Sequence, residues 1–510
     1  MAKVNSTVTA TADFPLQCSD DSSLQSLPSP VLLGPLDQRS LLAIPLAVVF
    51  VYRAKASTEE LIPIDRLRRA ICRLLDYYPH LTGRIIINPE DQSPQIEQLG
   101  AGAKLVTAQC TEPLKSFEVV SGDDKPGSTS RLIGTNLPDG GNALLPPFDP
   151  TEAGAACDSI LTVQHTRFAC GGVSIGLRLR HIICDAAGFF QLARDLAELY
   201  RAFRSHDLDQ SSDAVKLSSP PVINSFLAGV QKVSDEHADI LQSSPTLFEL
   251  APEIQAVKTN ETGPSTPPPP VIGRILRFSF NELAAIKAEA NADSSHNVST
   301  FCALTAHLWQ NICRARVRLC ESQGMSSVEA ASKVPRQFLA SLDLRGRGQV
   351  DISPRYFPNL VLCPVFSLPA EDLLTAPISR IAVAVREGVQ PLDPVEVQQN
   401  IQWLAAQTDK ERVRLRYRYE EGGIMVSQWN KFGMYQGTAL DVPPTLVVQP
   451  FTPISLIDGL IYFMATEDQL KQSEHSTGVT TGSIDVSLAL SEPVWNILDD
   501  TPQFRQYRQW

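Results

Sequence analysis

Near the middle of the chain stand four consecutive prolines, Pro267 to Pro270, and no continuous helix or central strand can pass through them. Each ring fixes φ and removes an amide donor. The run closes a stretch with Ser/Pro/Thr-rich patches, read here as a crossover over residues 206–272 between two halves, with some helix around Phe226 to Val233. The full length of 510 residues agrees with that division, because single hydrophobic cores stop growing at roughly 250–300 residues. The expected organisation is a flexible Ser/Thr/Asp-rich N-terminus over 1–30, a first domain over 31–205, the crossover, and a second domain over 273–510.

Periodicity within each half predicts both strands and helices. Val48 to Val51 form the β-branched centre of a strand over 44–53. Ile64, Leu67, Ile71 and Leu74 recur at helical steps opposite Arg66, Arg69 and Arg73, between Pro63 and Pro79. Ile160 to Phe168 and Val173 to Cys184 read as strands joined by the turn Cys170-Gly171-Gly172. In the second of them, Ile175, Leu177, Leu179 and His181 share one parity. Asp185 to Gly188 then open a helix with Phe189, Leu192, Leu196 and Leu199 on its apolar face. The second half offers a strand at Gly273 to Phe280, and helices over Glu282 to Ala292 and Thr300 to Glu321, the latter with Ser299 as N-cap. Helices are also expected over Pro377 to Gly388 and Pro394 to Lys410. Strands are expected at Phe338 to Leu344, Ile424 to Ser427, Leu446 to Gln449, 454–465 and 482–490. The elements mix without strict βαβ alternation, so the fold class is α/β, with mixed sheets and flanking helices.

Composition narrows the function. The chain carries a net charge of −12 and no basic stripe, which argues against a nucleic-acid partner. Ten cysteines stand singly, with no CxxC pair and no Cys/His cluster at zinc spacing. They read as reduced thiols of a cytoplasmic protein, and no metal site is expected. Met1 to Ser26 has no apolar core of a signal peptide. The longest apolar run, Leu41 to Tyr52, contains Pro45 and is too short to span a bilayer.

His181 is the candidate for chemistry. It nearly ends an apolar strand, beside a loop and a helix start, where catalytic side chains are favoured. A neutral imidazole with a pKa near ~6.5 can accept a proton. Asp185, four residues on, could cap the following helix or pair with a buried arginine. By spacing alone, a core histidine followed by an N-cap aspartate is the commoner outcome of such a pattern. Gly172-Val173-Ser174-Ile175-Gly176 matches a serine-hydrolase elbow, but it opens a strand where an elbow must end one. Cys184, if the strand runs on, faces away from His181 and packs. His80 and His307 lie in helical contexts and read as structural.

The company of the motif changes its standing. His181-Ile182-Ile183-Cys184-Asp185-Ala186 resembles the HxxxDG signature of the BAHD acyltransferases, with Ala186 in place of glycine. Ordered landmarks flank it. These are Pro35-Leu36-Asp37, Tyr77 to Arg84, Val163 to Gly172, Ser299-Thr300 with Ala306 to Trp309, Asp343-Leu344-Arg345-Gly346-Arg347, and Tyr356-Phe357-Pro358-Asn359. Within that family the chain resembles especially the fungal, trichothecene-acetyltransferase-like branch. The second family signature, DFGWG, is not kept: by ungapped count Thr438 to Val442 would occupy it, and Asp441 matches no family aspartate.

The resemblance implies a two-domain, chloramphenicol-acetyltransferase-like architecture with a tunnel between the domains. It implies His181 as general base, acyl-CoA as co-substrate with no tightly bound cofactor, and a small-molecule alcohol acceptor from secondary metabolism, with acetyl the expected acyl group. Trp429, with Ser427 as a weaker candidate, would donate to the oxyanion. Asp185 would turn away from substrate and pair with Arg345, with Arg347 in reserve. A cytoplasmic fungal monomer is expected. A condensation or cyclisation catalyst on the same scaffold, working without acyl-CoA, remains the alternative because the DFGWG loop is lost.

Overall fold

In the computed structural model, the described residues are 7–38, 42–55, 59–90, 92–120, 130–205, 215–228, 245–251, 268–292, 297–346, 350–390, 392–407, 412–417, 423–471 and 482–507. Residues 229–233 of the helix expected after Phe226, residues 408–410, and the reserve arginine Arg347 fall outside them.

Two six-stranded mixed sheets organise the chain. The first runs in the order Val8–Leu16, Ala103–Cys110, Thr162–Phe168, Val173–Arg180, Pro45–Tyr52, Leu446–Val448. Its Ala103–Cys110 and Thr162–Phe168 pair is parallel, and the other pairs are antiparallel. The second runs Val271–Phe278, Ile484–Ser491, Leu460–Ala465, Ile424–Gln428, Gln337–Ala340, Val365–Ser367. Helices Ile64–Tyr77 and Ala186–Ser205 flank the first sheet, and the long Thr300–Ser322 helix packs on the second. Ser299 caps that helix by accepting from the Cys302 amide, as its position before the apolar run predicts.

The predicted hairpin forms. Val173 pairs with Arg167, the Phe168 amide donates to Gly172 O at 2.9 Å, and Gly171 takes φ +80°, which glycine adopts without strain. Leu67, Ile71, Leu74 and Leu75 of the Ile64–Tyr77 helix are buried, each such side chain contributing about 1.5–3 kcal/mol of transfer free energy.

Three expectations need correction. Residues 1–30 are not uniformly mobile: Val8–Leu16 is the edge strand of the first sheet. Val8, Ala10, Ala12, Phe14 and Leu16 alternate with Thr9, Thr11 and Asp13, a strand pattern that the Ser/Thr/Asp-rich composition of the N-terminus overshadows. Division by chain position is also crossed, since Leu446–Val448 from the second half joins the first sheet against Pro45–Tyr52. Finally, the strand carrying the motif ends at Arg180, not Cys184, because Ile183 N turns back onto Arg180 O at 3.0 Å. Cys184 therefore does not owe its burial to strand alternation. It is fully buried in the turn, and burial holds its thiol well above the ordinary range.

Candidate active site

The geometry around His181 begins with the register of its strand. Arg180 pairs with Pro45, so the His181 amide reaches Ile44 O at 2.8 Å. The strand then stops, and residues 181–183 turn toward the second half. The His181 carbonyl accepts from Asn359 Nδ2 at 3.0 Å. The half-buried side chain lines a cavity of about 880 Å³. Its lining includes Leu36, Ile44 to Ala47 and His181 from the first half of the chain, and Ser341, Cys363, Met425, Ser427 and Trp429 from the second. Glu249 and Arg414, from the short ribbon Phe248–Leu250 with Val413–Leu415, also line it, so part of the crossover segment reaches the cavity.

Asp185 does both things its position allows. Its Oδ1 caps the helix by accepting from Gly188 N at 3.1 Å. Its Oδ2 accepts from Arg345 Nη1 at 2.9 Å and from Leu360 N at 2.8 Å. Arg345 also binds Asp343, Tyr356 O and Pro358 O. Burial alone would lower the Arg345 pKa, but Asp185 and Asp343 outweigh it and raise it above its ordinary value. Gly188 is required here, because a Cβ would lie 2.1 Å from Phe357 O. The helix start and the 343–360 segment are thus in direct contact.

Ser427, near the end of Ile424–Gln428 in the second sheet, and Trp429, just beyond it, also line the cavity. The indole N–H of Trp429 donates to Ser427 Oγ at 3.0 Å. The ring is 3% exposed and makes edge contacts with Phe190 and Tyr462. These partners fix its orientation.

The remaining candidates lie elsewhere. Ser174 is buried within its strand. His80 packs on Tyr78 and Phe357, with its pKa pushed down to about 3 by burial. The ring Nε2 of His307 lies 2.9 Å from Phe504 O, and burial lowers its pKa to about 4. Among the described residues, no group of three or more His, Cys, Asp or Glu could hold a metal, and no helix is long and apolar enough to cross a membrane.

Sequence reasoning missed two features. Asp441, in the loop where DFGWG is lost, accepts from Ile62 N at 2.7 Å, Arg66 Nη1 at 2.8 Å and Tyr200 OH at 2.8 Å. The other is the buried pair of Asp37 and Asn359, whose residues were noticed only as landmarks. Nothing local signals either set of contacts, because each joins segments more than 200 residues apart.

Known proteins share both the sequence pattern and the fold. The family model described as "Transferase family" matches residues 18–438. Acyltransferase GLAUCE of Arabidopsis thaliana is 24% identical over 72% of this chain and 71% of its own length. Shikimate O-hydroxycinnamoyltransferase of Nicotiana tabacum is 22% identical over 72% and 74%. Among solved structures, F. graminearum TRI101 complexed with coenzyme A and deoxynivalenol has a TM-score of 0.68, with 17% identity over 94% of this chain and 99% of that one. Vinorine synthase gives 0.60, with 15% identity over 96% of each chain. These two share the two-domain architecture. With the family model covering most of its length, the chain belongs to the Transferase family, the BAHD acyltransferases, and is an acyl-CoA-dependent O-acyltransferase.

Proposed function

We propose that the chain moves an acyl group, acetyl in the first instance, from acyl-CoA to a hydroxyl of a secondary metabolite, with His181 as general base. One observation carries this reading: His181 and the Ser427–Trp429 pair line one and the same cavity. Its volume, about 880 Å³, lies toward the upper end of the roughly 300–1,000 Å³ common for ligand sites. TRI101 has been solved with coenzyme A together with deoxynivalenol or T-2, which supports two substrates meeting in one such space.

In the proposed reaction, the acceptor hydroxyl gives its proton to the His181 imidazole as its oxygen attacks the thioester carbonyl. The resulting oxyanion takes a hydrogen bond from the Ser427–Trp429 pair. Collapse breaks the carbon–sulfur bond, and the imidazolium returns the proton to the CoA thiolate. No acyl-enzyme forms, so the inert Cys184 thiol has no part. Asp185 reaches the cavity wall, but its carboxylate is engaged by Gly188 N, Arg345 and Leu360 N, so with Arg345 it holds the loop and takes no proton in the reaction. The reading carries with it a monomeric, cytoplasmic enzyme of fungal metabolism.

The test is CoA release from acetyl-CoA with a panel of hydroxylated terpenoids, polyketides and alkaloids, with the ester product identified by mass spectrometry. His181→Ala should slow turnover by about 10²–10⁴-fold without loss of fold. Wild-type turnover in that variant would sink the general-base role.

A further inference from the structure

Two landmarks in the sequence have no part in the reaction as described, the early Pro35-Leu36-Asp37 and the late Tyr356-Phe357-Pro358-Asn359. The fold brings them together against His181. Asp37 is 1% exposed and Asn359 5%. Asp37 Oδ1 accepts from Asn359 N at 2.8 Å and from Asn359 Nδ2 at 2.9 Å, and its Oδ2 accepts from Gly34 N at 3.1 Å. The same Nδ2 group donates to the His181 carbonyl at 3.0 Å. An amide NH₂ has two hydrogens, and this one serves the carboxylate and the histidine backbone together.

We propose that Asp37 and Asn359 form a positioning pair that sets the orientation of His181, a role resting on the general-base reading above. The His181 backbone is held from both halves. Its amide is tied to Ile44 in the first half and its carbonyl to Asn359 in the second. Asn359 is in turn oriented by a carboxylate of the first half, so the residue that aims His181 is itself fixed across the cavity-forming interface.

Asp185 and Arg345 hold the loop four residues further on and make no hydrogen bond to the His181 backbone. The two devices share the 358–360 segment, since Pro358 O binds Arg345 and Leu360 N binds Asp185 on either side of Asn359, but only Asn359 reaches the His181 carbonyl. Burial raises the Asp37 carboxyl to about 6, and among the described residues it is held by N–H groups and the Ser225 hydroxyl. A buried carboxylate held by neutral donors fixes those donors tightly, because an unmade bond there is costly.

A double-mutant cycle tests the pair. Asn359→Ala and Asn359→Ser are assayed for CoA release from acetyl-CoA below their own melting midpoints, in the wild-type and His181→Ala backgrounds. Ser keeps a hydroxyl for Asp37 but is too short for the His181 carbonyl, and it is the variant to read where Ala does not fold. In the wild-type background kcat should fall about 10–100-fold with KM for acetyl-CoA within about two-fold. In the His181→Ala background the same substitution should change the residual rate by less than about two-fold, because a residue acting through His181 has nothing left to position. An equal fold loss in both backgrounds, or wild-type kcat in a folded Asn359 variant, overturns the proposal. Full turnover by His181→Ala alone would instead remove the reading beneath it.

Discussion

The indole N–H of Trp429 can make one hydrogen bond, and Ser427 Oγ takes it at 3.0 Å. That changes the division of labour expected from the sequence, where Trp429 was the first candidate and Ser427 the weaker one. With its oxygen engaged as acceptor, Ser427 still has its own hydrogen to give, and the indole orients it. Ser427→Ala should therefore reduce kcat by about 10²-fold, the usual cost of one oxyanion donor. Trp429→Phe should cost less, roughly ten-fold, since the hydroxyl survives but is no longer held. Steady-state CoA release at saturating acetyl-CoA measures both. A larger loss for Trp429→Phe would make the indole the direct donor.

At the scale of elements, two loops are held by carboxylates, and the consequences differ. Asp441 ties the 438–442 loop to the entry of the Ile64–Tyr77 helix, through Arg66, and to Tyr200 of the Ala186–Ser205 helix. It also holds Ile62 at φ +50°, a conformation unfavourable for a β-branched residue. Asp441 does not line the cavity. Asp441→Ala should lower stability by about 2 kcal/mol, the cost of several lost charge-assisted bonds at a partly exposed site, with near-wild-type kcat in the folded protein. Asp185→Ala should lose stability and activity together, because it strips Arg345 of its most buried partner and releases the start of the Ala186–Ser205 helix. Thermal melts beside turnover separate the cases. An Asp185→Ala protein with an unchanged midpoint would contradict its holding role.

For the molecule as a whole, the halves are joined by more than the crossover. Leu446–Val448 completes the first sheet from the second half, and Asp37–Asn359, Asp185–Arg345 and Asp441–Arg66 bridge them as well. Coupling this extensive predicts one cooperative unfolding transition. All five tryptophans, Trp309, Trp403, Trp429, Trp495 and Trp510, lie in the second half of the sequence, with Trp429 packed on Phe190 of the first, so fluorescence is weighted toward the second half. Far-UV circular dichroism reports both. The two urea curves should coincide in midpoint, and separated midpoints would show halves that unfold independently.

What the sequence by itself determined is what depends on near neighbours. The Thr162–Phe168/Val173–Arg180 hairpin was legible from alternation and a Gly-Gly turn, and the Thr300–Ser322 helix from its period and its Ser299 cap. His181 and Asp185 were legible through the ordered landmarks around them. Only the tertiary structure decided that Val8–Leu16 is the edge of the first sheet, that Leu446–Val448 crosses into that sheet, and that Asp441 anchors a loop without the family signature. It also decided that Asp37 and Asn359, 322 positions apart, meet beneath His181. Periodicity and capping act within a few residues of chain and leave a pattern there. A buried carboxylate chooses its donors by where the whole chain has brought them, and no local pattern records that choice.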